Sequence, residues 1–136
     1  MATPEWDKLL SAANKARFNA YAPYSEFLVG ASVQTVGGEI FSGCNVENAS
    51  YGLTICAERT ALVKMVSEIA FPVLAAVCVV LKGGHMKGGS PCGACRQFIW
   101  EFCRGNEDVP VLMTDPDDTG RRYSTIGQLL PEAFVL

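Results

Sequence analysis

The most restrictive feature of this sequence is an uninterrupted apolar run, Leu74 to Leu81, which reads LAAVCVVL. A short, continuous run rich in β-branched residues is typical of a strand that is covered on both faces. Such a strand needs helices above and below its sheet, so the run favours a layered α/β fold. It is also the longest apolar stretch of the chain, well short of the ~20 residues that cross a bilayer, and we expect no membrane-spanning segment.

Helical and extended patterns alternate on both sides of this run. Apolar residues at helical spacing predict three helices, over residues 4–20, 56–68 and 91–103. Extended patterns predict three further strands, over residues 27–36, 39–46 and 109–114. Gly37-Gly38 marks a hairpin, and a short last helix is expected over 124–130. This alternation predicts one α/β domain over residues 1–136, a three-layer α/β/α sandwich around a mixed sheet.

The charge of the chain disfavours a nucleic-acid partner. Its 136 residues include 11 Lys and Arg against 14 Asp and Glu, which gives a formal net charge of -3. Proteins that grip phosphates usually show a basic stripe, whereas the basic residues here are scattered. Unless folding brings the scattered basic residues together into one patch, we expect the partner to be small or neutral. The N-terminal sequence MATPEWDKLL lacks the pattern of a secretory signal, which favours a cytoplasmic protein.

The chain contains six cysteines, at positions 44, 56, 78, 92, 95 and 103. An even number allows a disulfide framework, but disulfides are rare in the cytoplasm and a chain of this length folds without them. Cys78 and Cys103 lie within an apolar strand and a helix, where we expect them to pack as small buried side chains.

Cys92 and Cys95 form a C-x-x-C pair at the predicted start of a helix, in the segment PCGAC. Such pairs serve thiol–disulfide chemistry or metal binding, and the pair alone does not distinguish the two. Cys56 favours the metal, because it also lies at a predicted helix start, so that two helix N-termini present three thiols. The partial positive charge of a helix N-terminus stabilises thiolates, the form that binds zinc.

The number of thiols indicates which kind of zinc site this is. Structural sites are closed by four protein ligands, whereas catalytic sites use three and leave a position for water. Glu58, two residues after Cys56, is placed to carry protons for that water. In the alternative, Cys44 supplies a fourth thiol and the chain is a structural zinc module. His85, in the Gly-rich segment KGGHMKGG, is expected to be exposed rather than a ligand.

Three thiolates leave a zinc centre anionic, which weakens its Lewis acidity. Arg59 follows Glu58 in the first turn of a predicted helix, where the helix dipole mildly disfavours a positive charge. Its guanidinium can donate hydrogen bonds to the sulfurs and draw off part of their charge. We therefore expect Arg59 to support the metal site.

Four segments, in the same order, resemble the short, homotetrameric class of cytidine deaminases, which are zinc-dependent nucleoside deaminases. They are YAPYSEFLVGA, GCNVENASYGLTICAERTAL, SPCGACRQ and LLPEAF, between Tyr21 and Phe134. The resemblance implies a mixed five-stranded sheet and a homotetramer with sites at subunit interfaces. The implied reaction, a step of pyrimidine salvage, is the hydrolytic deamination of cytidine and 2′-deoxycytidine to uridine and 2′-deoxyuridine, with release of ammonia.

For the metal centre, the resemblance implies one Zn²⁺ per subunit, with Cys56, Cys92 and Cys95 as its ligands. It implies that Glu58 takes a proton from water, passes it to N3 of the pyrimidine and later protonates the leaving amine. Arg59 moderates the charge of the thiolates.

For the nucleoside, the resemblance implies that Asn45 and Glu47 bind the ribose hydroxyls and that Phe27 packs against the pyrimidine ring. It implies that Tyr51 and Phe134 approach the site of a neighbouring subunit. Without the resemblance, Asn45 suits a turn and the two phenylalanines suit a core.

Three other functions share parts of this pattern. A polynucleotide deaminase would need basic or aromatic surface for flanking nucleotides, and a deaminase of a modified nucleoside such as blasticidin S would share the metal motif. A thiol–disulfide oxidoreductase would use Cys92 and Cys95 alone.

The chain also departs from the family pattern in its Gly-rich segment 82–90, which we expect to alter the rim of the site. A second departure is KMVSEIAF, which lacks the usual glycine after Ser-Glu.

Overall fold

The computed structural model describes residues 3–136. The helices and strands of this part of the chain are α1 (Trp6–Arg17), β1 (Val29–Thr35), β2 (Ile40–Cys44), α2 (Ala57–Glu68), β3 (Leu74–Leu81), α3 (Gly93–Cys103), β4 (Pro110–Thr114), β5 (Arg122–Thr125) and α4 (Ile126–Leu129). A 3-10 turn, Tyr51–Leu53, precedes α2. Among residues 3–136, no helix combines the length and the apolar character needed to span a membrane.

The five strands form one mixed sheet in the order β2-β1-β3-β4-β5. β3 pairs in parallel with β4, and the other neighbouring strands are antiparallel. β3 is the central strand and is buried at all eight positions. The structure thus confirms that the apolar run is a strand covered on both faces, within a five-stranded mixed sheet.

Alternate side chains of β3 enter two separate cores. Ala76, Cys78 and Val80 pack on one face with α1. Val77 and Val79 pack on the other face with α2, α3 and α4. The predicted three-layer α/β/α arrangement is therefore confirmed. Cys78 and Cys103 are buried within these cores, as expected.

Two glycines allow α1 and α2 to lie directly on the sheet. A Cβ atom on Gly30 of β1 would lie 1.9 Å from the Ala13 carbonyl oxygen. A Cβ atom on Gly43 of β2 would lie 2.5 Å from the backbone nitrogen of Ala61. The backbone of each helix therefore rests against a strand without an intervening side chain. The contact at Gly43 holds the first turns of α2 against the end of β2.

The helix predicted over residues 4–20 is shorter at both ends. The Asn19 and Ala20 N–H groups donate to carbonyl oxygens three residues earlier, at 2.9 Å and 3.1 Å, so the chain tightens into a turn and α1 ends at Arg17.

The start of the last helix also differs from the prediction, which assigned residues 124 and 125 to that helix. They belong to β5, and α4 begins only after Thr125, whose hydroxyl accepts from the Gln128 N–H in a capping box.

Candidate active site

Three thiols meet where α2 and α3 begin. Cys56 is the N-cap residue of α2, Cys92 is the N-cap residue of α3, and Cys95 lies in the first turn of α3. Neither N-cap side chain makes a capping hydrogen bond, so both thiols are available to the cluster. The three Sγ atoms lie within 4.8 Å of one another, with 3.9 Å between those of Cys56 and Cys92. The structure therefore confirms the prediction that two helix N-termini bring the three thiols together.

The sulfur positions fit a tetrahedral zinc ion. Zinc–sulfur bonds of about 2.3 Å at the tetrahedral angle separate two sulfurs by about 3.8 Å, close to the distance between Cys56 and Cys92. Within residues 3–136 the cluster has three members. Cys44 lies outside it, in a groove between α1 and α2. The donor set therefore matches the open, three-ligand type of zinc site rather than the closed, four-ligand type.

Hydrogen bonds and a positive charge favour the thiolate of Cys56. The neighbouring Cys95 thiol is the largest influence, and together with Arg59 it lowers the pKa of Cys56 to about 5 in spite of burial. The proximity of Cys56, together with burial, raises the pKa of Cys95. Arg59 Nη2 donates to Cys56 Sγ at 3.4 Å and approaches the Thr54 carbonyl oxygen at the same distance. The expected contact between Arg59 and the thiols is thus observed.

Glu58 is a buried carboxyl group beside this cluster, with 4% of the residue exposed. Its burial is the main cause that raises the pKa of Glu58 to about 7, and the nearby charge of Cys56 acts in the same direction. A group with a pKa near neutrality can both accept and release protons at neutral pH. Glu58 also lines the cavity that the thiols face, so its carboxyl group is placed for acid–base chemistry.

A cavity of about 260 Å³ joins the thiols to the residues expected to bind a nucleoside. Its lining includes Cys56, Cys92, Glu58, Phe27, Asn45, Glu47 and Tyr51. Cys95, the third member of the cluster, is buried. The structure therefore brings most of the sequence-predicted site residues to one place, although they come from five separate parts of the chain.

Phe134 is the predicted site residue that lies away from both this cavity and the thiol cluster. It lies against α3, where Gln97 contacts its backbone through two hydrogen bonds, and 67% of the residue is exposed. Tyr51 lines the cavity but is also 59% exposed. The contact of Phe134 with the site of a neighbouring subunit stays a prediction.

Asn45 and Glu47 are buried and bind the loop that carries Phe27. Asn45 Nδ2 donates to the Phe27 carbonyl oxygen at 2.8 Å, and Asn45 Oδ1 accepts from the Val29 N–H at 2.9 Å. Glu47 accepts hydrogen bonds from the backbone N–H groups of Tyr24 and Ser25 and from the Ser25 hydroxyl, which is the main cause of its lowered pKa. Sequence reasoning missed Ser25, because a serine in a loop carries no periodic signal.

The Gly-rich segment 82–90 is folded against the ends of β4 and β5. His85 Nδ1 lies 2.7 Å from Asp115 Oδ2, and Arg122 donates to the Gly89 carbonyl oxygen at 3.0 Å. Ser90, at the end of the segment, lines the cavity with the thiols. The segment thus reaches the rim of the site, and His85 is exposed, as expected.

Comparison with known proteins finds relatives that match most of the chain. Residues 4–113 match a protein family that is described as the cytidine and deoxycytidylate deaminase zinc-binding region. Cytidine deaminase from Sporosarcina psychrophila is 45% identical over 132 residues, which cover 94% of this chain and 90% of that protein. The chain belongs to the cytidine and deoxycytidylate deaminase family.

Other members of the cytidine and deoxycytidylate deaminase family have the same fold. The crystal structure of cytidine deaminase from Burkholderia pseudomallei matches with a TM-score of 0.84 at 44% identity, over 97% of this chain and 100% of that chain. The crystal structure of cytidine deaminase from Mycobacterium tuberculosis matches with a TM-score of 0.79 at 37% identity, over 98% and 100% of the two chains. The resemblance inferred from four sequence segments is confirmed across nearly the whole chain.

Proposed function

We propose that this chain is a cytidine deaminase that hydrolyses cytidine and 2′-deoxycytidine to uridine and 2′-deoxyuridine, with release of ammonia. One observation carries the proposal: two thiols of the three-thiol cluster, a buried carboxyl group and two buried hydrogen-bonding side chains line one cavity. The relatives that match over most of the chain are named as cytidine deaminases, which supports the same substrate.

Cys56, Cys92 and Cys95 would hold one zinc ion per chain. A bound zinc ion supplies Lewis acidity, which lowers the pKa of water toward ~7. The Arg59 guanidinium, in contact with Cys56 Sγ, withdraws charge from the thiolates and so preserves that acidity.

Glu58 is the proposed proton carrier of the reaction. Its carboxylate accepts a proton from water and passes it to N3 of the pyrimidine, which makes C4 electrophilic. A bond forms between C4 and the oxygen of the deprotonated water. Glu58 then takes the remaining proton from the new C4 hydroxyl and delivers it to the exocyclic amine. The bond from C4 to that nitrogen breaks, so that ammonia leaves and the C4 carbonyl of the product forms. The burial of Glu58 suits this role, because a pKa raised to about 7 leaves both protonation states populated near neutral pH.

Asn45 and Glu47 are proposed to bind the sugar with the hydrogen-bonding capacity that the Phe27 loop leaves free. A carboxylate has about four acceptor positions, of which Glu47 uses three within the protein. The Asn45 amide keeps one N–H and one lone pair. A ribose hydroxyl can therefore donate to Glu47 and accept from Asn45. The exposed ring of Phe27 is proposed to pack against the pyrimidine.

The chain is further proposed to be a single domain that assembles as a homotetramer, in which Tyr51 and Phe134 complete a neighbouring site. The exposed positions of both aromatic side chains support this assembly. A cytoplasmic location is also proposed, and it is supported by six cysteines that are all free thiols, as expected in a reducing compartment. The proposal includes a role in pyrimidine salvage and no nucleic-acid partner, which the net charge of -3 supports. Sedimentation at four times the chain mass would test the assembly.

The deciding experiment is turnover of cytidine by the purified, zinc-loaded protein. Ammonia and uridine should appear in equal amounts, and 2′-deoxycytidine should react as well. A catalytic zinc site predicts that exchanging Cys92 for serine removes both metal and turnover. A folded, zinc-loaded protein that turns over neither nucleoside would reject the proposed substrate. Reaction with blasticidin S alone would assign the site to a modified nucleoside instead.

A further inference from the structure

Ser25 lies at the centre of a short relay of hydrogen bonds between Glu47 and Phe27. Its hydroxyl donates to Glu47 Oε2 and accepts from the Phe27 N–H at 3.0 Å. Both bonds can form together, since a hydroxyl offers one donor and two acceptor lone pairs. Ser25 therefore joins a buried carboxylate to the backbone of an aromatic residue, and all three residues line the same cavity.

The backbone of Phe27 is held on both sides by side chains of the cavity. The Ser25 hydroxyl accepts from its N–H group, and Asn45 Nδ2 donates to its carbonyl oxygen at 2.8 Å. The Phe27 side chain itself is exposed, so packing against the core does little to fix the ring. The position of the ring depends on these backbone hydrogen bonds.

The turn before Phe27 contains a strained residue that needs support. Glu26 has a φ of 59°, in the left-handed region that residues with a side chain rarely adopt. Glu47 accepts from the Tyr24 and Ser25 N–H groups at 3.0 Å each, and the Glu26 N–H donates to the Ala22 carbonyl oxygen at 2.9 Å. Strained conformations persist only where the surrounding structure holds them. The bonds made by Glu47 and Ser25 provide that support here.

We propose that Ser25 is a positioning residue for the nucleoside, because its hydroxyl fixes the Phe27 ring and the Glu47 carboxylate relative to each other. The inference rests on the proposed function, in which Phe27 meets the base and Glu47 meets the sugar. One hydroxyl thus couples recognition of the base to recognition of the ribose. Ser25 acts through its two neighbours in the relay.

The test compares three single variants of the full-length, zinc-loaded protein. Ser25→Ala removes the acceptor of the Phe27 N–H, so hydrogen–deuterium exchange of the backbone over residues 24–29 should be faster. Cytidine kcat/KM should fall by about tenfold or more, mainly through a higher KM. Ser25→Thr keeps the hydroxyl and should restore both properties. Ser67→Ala is the matched control, because its hydroxyl bonds only to the Val63 carbonyl oxygen of its own helix.

A double-mutant cycle separates positioning from general stability. If Ser25 acts through the Phe27 ring, Ser25→Ala should change kcat/KM much less in a Phe27→Ala background than in the unsubstituted protein. Equal effects in both backgrounds would overturn the coupling. Melting temperatures of all variants identify any loss of activity that comes from unfolding, and in that case Ser25→Thr decides the outcome.

The outcomes also separate this inference from the proposed reaction. Unchanged exchange over residues 24–29 in Ser25→Ala would show that the relay does not hold the loop. Faster exchange with unchanged kinetics would show that the loop does not position the substrate. An unsubstituted protein without cytidine turnover would reject the reaction itself, and the exchange rates would still decide whether the relay exists.

Discussion

Glu58 is a carboxyl group withdrawn from water, and it stands two residues from a thiol of the metal cluster. Burial of a carboxylate is costly because desolvation disfavours the charged form, so a buried carboxyl group takes up a proton more readily than an exposed one. Glu58 also lines the cavity that the thiols face, where such a proton can be passed to a bound molecule.

Replacing Glu58 by glutamine tests its role as proton carrier. Glutamine has nearly the same shape but cannot take up a proton, so we expect kcat for cytidine to fall by at least about 100-fold. Zinc content should stay unchanged, because the three thiols are untouched. Ammonia release and metal analysis of the same preparation measure both properties. Turnover close to that of the unsubstituted protein would contradict the assignment.

The backbone of Phe71 is strained, and its exposed side chain packs little against the rest of the protein. Its φ is 51°, and 88% of the residue is exposed. The left-handed conformation costs a residue with a side chain about 1–2 kcal/mol, and asparagine tolerates it better than most.

We therefore expect Phe71→Asn to raise the free energy of unfolding by up to about 1 kcal/mol. Phe18→Asn is the matched control, since Phe18 is 77% exposed with an ordinary φ of -65°. Chemical denaturation of both variants measures the difference. Equal stability changes in the two would show that backbone strain at Phe71 is negligible.

At the scale of elements, the contact of α1 with β1 depends on the missing side chain of Gly30. Gly30→Ala would put a Cβ atom 1.9 Å from a carbonyl oxygen of α1, so helix and strand must separate. Overpacking of this kind typically costs about 1–3 kcal/mol, and we expect a loss in that range. Gly52→Ala, whose Cβ atom meets nothing within 4 Å, is the control. Denaturant unfolding of both variants would decide, and equal stabilities would contradict the close contact.

Sequence patterns predicted the elements that carry strong signals. The starts of α2 and α3 were predicted to within two residues, at 56 and 91 against Ala57 and Gly93, because apolar spacing marks both helices and Pro91 marks the start of α3. β5 was not identified at the residue level, since its four residues, RYST, are polar and lie at the sheet edge. The five-stranded sheet was expected only from the family resemblance. Pattern alone gives no sign of a short strand whose stability comes from pairing with its neighbour.

The candidate site was predictable to the extent that its chemistry is unusual. Three cysteines and a glutamate at helix starts suffice to suggest a metal and a proton carrier. The support of the Phe27 loop by Asn45, Glu47 and Ser25 was not predictable, because ordinary polar residues in loops form specific bonds only once the chain has folded.

For the whole molecule, the six thiols should fall into separate reactivity classes. Burial raises the pKa of Cys78 and of Cys103 to about 12, so both stay protonated and unreactive at pH 8. Cys56 and Cys92 are accessible and should be protected only while zinc is bound.

Alkylation at pH 8 with and without prior chelation, followed by peptide mapping, measures these classes. Cys56 and Cys92 should react only after the metal is removed, and Cys78 and Cys103 only after unfolding. Equal labelling of Cys92 before and after chelation would show that it does not hold the metal. Labelling of Cys78 in the folded protein would contradict its burial.

The edge strand β5 also bears on how the molecule behaves at high concentration. A strand at the edge of a sheet exposes unpaired N–H and C=O groups, which can recruit a strand from another chain and start fibrous growth. β5 offers only four residues, begins with Arg122 and is followed directly by α4. A short, charged edge is a poor template for such growth. Growth of fibres from the β5 edge of the sheet should therefore be disfavoured, even in concentrated solutions of this protein.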